Sequence, residues 1–183
     1  LPVTRTLLWL IGGLILGGII HITAILTLPL LAEETTWSRV SALEANNRVL
    51  VLDRVTQGDP NPLHLDPELS YGLCQIDLGE GPAYLNGVLP DAFWSVAVYD
   101  QNGIVIYSTT NRDGIGQTVD MGIFNAAQTR LLAQQQIDIA EGLLIVEAPT
   151  NQLFVLVRLS PPHEAMRTRF EQELSEITCG PRA

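Results

Sequence analysis

The hydrophobic pattern of the chain divides it sharply in two. From Thr6 to Ala32 there is no Asp, Glu, Lys or Arg, a run of 27 residues that is apolar all the way round a helix. A helix needs about 20 such residues to cross the hydrocarbon core of a bilayer. A secretory signal has a shorter apolar stretch and ends in small residues of the A-x-A type. Leu30, Leu31 and Ala32 do not make such an ending. The pattern therefore predicts an uncleaved transmembrane anchor over residues 1–32 and a separate domain over 33–183. Arg5 precedes the run, and Glu33 and Glu34 follow it. The positive-inside bias then places the N-terminus in the cytoplasm and the domain in the periplasm.

Beyond the anchor the period changes along the chain. Trp37, Val40, Leu43 and Leu50 recur at helical spacing and predict one helix over 35–55, continuing from the first or kinked against it at Pro29. Residues 57–72 carry three prolines and several turn formers, and read as a surface loop. Alternation then predicts strands at 73–79, 83–89, 93–100 and 103–109. Gln101-Asn102-Gly103 joins the last two as a hairpin. Residues 111–117 read as a glycine-rich turn, 121–136 as a helix with Ile123, Ala127 and Leu131 on one side, and 139–148 and 152–160 as two further strands. Pro161 and Pro162 open a final helix in which Met166, Phe170, Leu174 and Ile177 form a stripe ending near Cys179. The expectation is an α+β domain, an antiparallel sheet with flanking helices.

Charge narrows the partners. The chain has no lysine; past residue 32, nine arginines face all twenty acidic residues. That balance disfavours nucleic acid, which needs clustered positive charge, and disfavours docking on anionic lipid headgroups. The acids leave a cationic partner open, but scattered acids of this kind more commonly keep a domain soluble. The two cysteines, Cys74 and Cys179, both fall in the outer part. An oxidising compartment favours a disulfide between them, the alternative being two buried thiols. No zinc pattern exists, because no C-x-x-C occurs and the three histidines are dispersed.

No constellation for catalysis emerges. G-x-S-x-G, H-E-x-x-H and a Walker loop are all missing. Gly79-Glu80-Gly81 and Gly114-Ile115-Gly116 sit in turns rather than opening a helix after a strand. His64, near Asp66, is a base only if a nucleophile joins it, and otherwise a surface loop residue, as is His163. Asp100, Asn111, Arg112 and Asp113 suit turn chemistry. These residues predict a protein that is not an enzyme, with no catalytic or metal residues.

Residues 91–113, DAFWSVAVYDQNGIVIYSTTNRD, carry a resemblance. FWSVAVYD, a turn and NRDGIG are similar to the bacterial envelope proteins of the domain-of-unknown-function families 1254 and 1214. More closely, the chain resembles a short membrane-anchored form of the first. The shared features are an anchor ending at Pro29, Trp37-Ser38-Arg39, Asn47-Arg48, the stretch Asp66-Pro67-Glu68-Leu69-Ser70-Tyr71-Gly72-Leu73-Cys74, and the late Cys179. Full-length relatives carry an additional β-sandwich domain. The resemblance implies topology and no activity. The same hairpin, YDQNGIVIYSTTNRDGIGQ, also resembles extracytoplasmic Cache or PAS-like sensor domains. That second resemblance implies a ligand pocket near Trp94, Tyr99, Tyr107 and Arg112, and signalling through the single helix or through a partner.

The anchor holds the sharpest functional signal. Gly13 and Gly17 form G-x-x-x-G, and His21 and Ala24 continue the same helix face. Small residues let a neighbouring backbone approach closely within lipid. A histidine at membrane depth is a candidate functional residue because hydrocarbon offers its ring no partner. Three readings stand: a hydrogen bond to a neighbouring protein helix, a bond within its own helix or snorkelling to headgroups, and ligation of a haem or chlorophyll-type pigment, for which Gly17 leaves room. The first leads, so no cofactor is expected. The sequence thus predicts a non-enzymatic, single-pass accessory subunit of a Gram-negative inner membrane. It would dock on a larger integral membrane protein complex, or on copies of itself, through Gly13, Gly17, His21 and Ala24. Its periplasmic domain would cover or stabilise that complex.

Overall fold

The computed structural model describes residues 2–31, 35–113, 117–135 and 142–182. The chain divides into two compact units, Leu1–Thr35 and Thr36–Ala183.

The first unit is one helix, α1 (Pro2–Leu31). At 1.5 Å per residue it extends about 45 Å, against a hydrocarbon core of about 30 Å. Its candidate span, Pro2–Leu28, contains an 18-residue stretch with a mean hydropathy of 2.1, so it is long and apolar enough to cross a membrane. Signal sequences share that property. Thr6, Thr23 and Thr27 return their hydroxyls to carbonyls of the same helix, which satisfies those polar groups locally.

The second unit is α+β. A short helix α2 (Thr36–Ser41) leads to β1 (Leu50–Val51), β2 (Ser70–Asp77), β3 (Ala83–Val88), β4 (Phe93–Asp100), β5 (Val105–Thr110) and β6 (Thr118–Asn125). Helix α3 (Ala126–Gln135), β7 (Leu144–Ala148), β8 (Gln152–Ser160), a 3-10 turn (Glu164–Met166), α4 (Arg167–Ser175) and β9 (Thr178–Gly180) complete it. Two sheets form rather than the single one expected. One runs β1-β2-β8-β4-β5 and is antiparallel throughout; the other runs β7-β6-β3-β9. In the second, β7 lies parallel to β6, the crossover being α3.

Side-chain alternation explains why two sheets are needed. On β8 the odd positions Leu153, Val155, Val157 and Leu159 point into one core, which also takes Ile76, Trp94, Val96 and Val98. Leu85, Val119, Met121 and Ile123 of the second sheet enter the same core. Each sheet thus buries its apolar face against the other, with Phe170 and Leu174 of α4 closing part of the core. The even positions of β8, Phe154 and Leu156, face the other way and join a smaller cluster with Val40, Leu43, Leu63 and Leu73. Cys74 of β2 and Cys179 of β9 form a disulfide, joining one sheet to the other.

Three helix expectations are corrected. Of the helix expected over 35–55, only Thr36–Ser41 is helical. Glu44 and Asn47 take positive φ, 52° and 51°, which no right-handed helix accepts, and Asn46 bridges to Gln75. Of 121–136, the first part is strand: Val119, Met121 and Ile123 are buried at period two. The helix starts only at Ala126, capped by Asn125, whose Oδ1 accepts the Ala127 and Gln128 amides while Gln128 Oε1 accepts that of Asn125. The last segment is a turn and a nine-residue helix, and Cys179 lies in a strand beyond it. The strands at 93–100 and 152–160 have the expected bounds. The Gly114-Ile115-Gly116 turn, residues 32–34 and residues 139–141 lie outside the described residues.

Candidate functional site

On α1, Gly13, Gly17, His21 and Ala24 fall within an arc of about 80°, at about 100° per residue. Opposite them are Ile15, Ile19, Ile22 and Leu26, all exposed. A Cβ built on Gly12, Gly13, Gly17 or Gly18 meets nothing within 4 Å. Within α1, no described side chain therefore requires these glycines. Unlike the threonines, His21 forms no hydrogen bond with any described residue.

The four residues of the sensor-type pocket are not brought together. Trp94 is even-numbered on β4 and lies buried in the core between the sheets. Tyr107 pairs with Val98 and packs on that same side. Tyr99 is odd-numbered, so it faces the opposite side of the sheet, in the smaller cluster. Arg112 is exposed in the turn after β5. A five-residue offset along one strand reverses the face, which excludes a common pocket for Trp94 and Tyr99.

Tyr99 has a different setting. Its ring stacks on Phe154 at 4.9 Å with the planes 5° apart, and its hydroxyl accepts a hydrogen bond from the Arg158 guanidinium. Beside it runs a mostly apolar groove of about 240 Å³, floored by Leu73, Phe154 and Leu156 and bordered by Leu63, Leu65 and Arg158. Sequence reading missed Arg158. It stands 59 residues from Tyr99 and only the antiparallel pairing of β4 with β8 brings them together.

The polar residues of the loops serve the backbone. Asp100 is buried and its Oδ1 accepts the amides of Asn102 and Ile104, which shapes the β4–β5 hairpin. Asp113 accepts the Thr110 amide and hydroxyl. Asn111 donates to the Ala92 carbonyl. His64 is exposed with a φ of 53°, and its amide donates to the Asn61 carbonyl. His163 is exposed before the 3-10 turn. In the stretch Asp66–Cys74, Tyr71 Oη accepts the Asp66 amide. The buried Arg167 guanidinium donates to the Pro67 and Leu69 carbonyls and to Ser70 Oγ. That motif is a loop clasped by a helix, and its residues build structure. Among the described residues no three His, Cys, Asp or Glu side chains converge.

A long apolar helix followed by a disulfide-linked, two-sheet α+β domain defines the class of chain. Residues 46–177, most of the sequence, match the family model described as protein of unknown function DUF1254, and the chain belongs to that family. No curated protein matches the sequence. Among solved structures, a structural-genomics protein from Vibrio parahaemolyticus is similar at TM-score 0.51 and 10% identity, over 64% of this chain and 31% of that one. An uncharacterised protein from Burkholderia cenocepacia is similar at TM-score 0.48 and 12% identity, over 78% and 36%. The chain thus spans about a third of the length of each. The first likeness concerns the fold alone.

Proposed function

We propose that the chain is a non-enzymatic, single-pass accessory subunit of a bacterial inner membrane. In this reading α1 docks on a larger integral membrane protein complex through Gly13, Gly17, His21 and Ala24. The N-terminus is cytoplasmic, and the disulfide-linked domain covers or stabilises the complex on the periplasmic side. The observation that carries the reading is the empty space above Gly13 and Gly17. Glycine costs roughly 1 kcal/mol relative to alanine inside a helix. Among the described residues of α1 no contact repays that cost, whereas a second helix lying in the groove would, by close packing. His21 adds a polar group on the same face, whose ring lacks a partner in hydrocarbon unless a neighbour supplies one.

The test is purification from membranes in mild detergent, with identification of the co-purifying proteins. A Cβ at Gly13 or Gly17 meets no described residue within 4 Å, so Gly13→Leu and Gly17→Leu are accommodated by α1 itself. Each is expected to lose the partner while the outer domain keeps its thermal transition. Retention of the same partners at wild-type yield by both variants contradicts the reading.

A further inference from the structure

We propose that the groove beside Tyr99 is a binding site for a small, linear apolar carboxylate of the medium-chain fatty acid type. The site lies on the face of the five-stranded sheet that points away from the main core. Leu73, Phe154 and Leu156 supply its floor, and Leu63 and Leu65 approach from the loop that precedes β2. Its volume, about 240 Å³, equals roughly eight waters at about 30 Å³ each, room for a ligand of eight to ten heavy atoms.

Charge complementarity chooses the occupant. Twelve residues line the groove, and Arg158 is the only charged one among them. The protein carries twice as many acids as bases, yet Arg158 has no carboxylate within salt-bridge distance among the described residues. Its guanidinium carbon lies 6.0 Å from the Tyr99 ring centroid, and one nitrogen donates to Tyr99 Oη. A guanidinium has five donors in a planar fork that matches a carboxylate. One bond to a phenol leaves most of that fork unused. Tyr99 itself is fixed by its stack on Phe154, so the pair presents a positioned cation at the edge of an apolar trough. An anion with an apolar body fits both parts, whereas an uncharged or cationic amphiphile fits only the trough. This site shares no residue with the α1 face and stands independently of the docking proposal.

Equilibrium dialysis of radiolabelled octanoate against the full chain in lipid nanodiscs, with empty nanodiscs subtracted, tests it. The expected result is saturable one-to-one binding that octanol does not compete away. Arg158→Met keeps the apolar stem and removes the charge, and should weaken binding at least about tenfold, the usual scale for a charge-assisted pair. Leu65→Trp fills the trough with Arg158 intact and should weaken it comparably, so that misfolding of one variant leaves the other decisive. No saturable binding, equal competition by octanol, or unchanged affinity in the folded variants overturns the assignment.

Discussion

The Phe124 ring lies directly over Gly122, two residues earlier on the same face of β6. A Cβ at position 122 would stand 2.6 Å from the ring edge. Tyr84 of β3 holds that ring in place from the side, edge to face, at 5.7 Å. The glycine is thus needed for a side chain rather than for an unusual backbone angle. Gly122→Val forces the ring out of a fully buried position. Overpacking of this kind costs about 1 to 3 kcal/mol. The expected readout is a lower urea midpoint with an unchanged slope, and Phe124→Ala combined with Gly122→Val should lose less than the sum of the singles.

The Cys74–Cys179 bridge spans 105 residues of sequence and ties β2 to β9. Closing so long a loop restricts the unfolded chain, and removing such a bridge typically costs about 2 to 5 kcal/mol. The Cys74→Ala, Cys179→Ala double variant should therefore melt on the order of 10 °C lower. The wild-type transition should fall by a similar amount in strong reductant, while the double variant should not respond to it. A wild-type transition that reductant leaves in place means the bridge is dispensable.

Arg167 is 8% exposed and clasps the 67–70 loop through three hydrogen bonds, with Glu164 3.6 Å from its Nε. Arg167→Met should destabilise the domain by about 2 to 4 kcal/mol, because the carbonyls of Pro67 and Leu69 lose a charged donor. Arg167→Lys should not restore stability, since an ammonium cannot reach several acceptors with one planar fork. Faster amide exchange confined to the start of β2 would locate the damage. Full rescue by lysine would show that charge alone suffices.

Legibility in the sequence followed contact range. The strands Phe93–Asp100 and Gln152–Ser160 are readable because each is a short apolar run rich in β-branched and aromatic residues and bounded by turn formers, although both faces pack, one in each cluster. MGIFNAAQ is ambiguous because Ile123, Ala127 and Leu131 also fit a helical stripe; the capping pair Asn125 and Gln128 is the local signal that resolves the boundary. The second sheet left little trace, since β9 is three residues long and pairs with β3 some 90 residues away. That Gly13, Gly17, His21 and Ala24 share one side of α1 follows from spacing within a single helix and is readable from sequence alone. The Arg158–Tyr99 pair is not, because its two members come from different strands and carry no shared motif.

A docking role for α1 depends on what lies against the helix. Photoreactive side chains placed singly at Gly17 and Ala24, and on the opposite face at Ile15 and Ile22, probe this in intact membranes. Docking through this face predicts protein adducts of one defined mass from Gly17 and Ala24, and lipid adducts alone from Ile15 and Ile22. Lipid adducts alone from all four positions would contradict it.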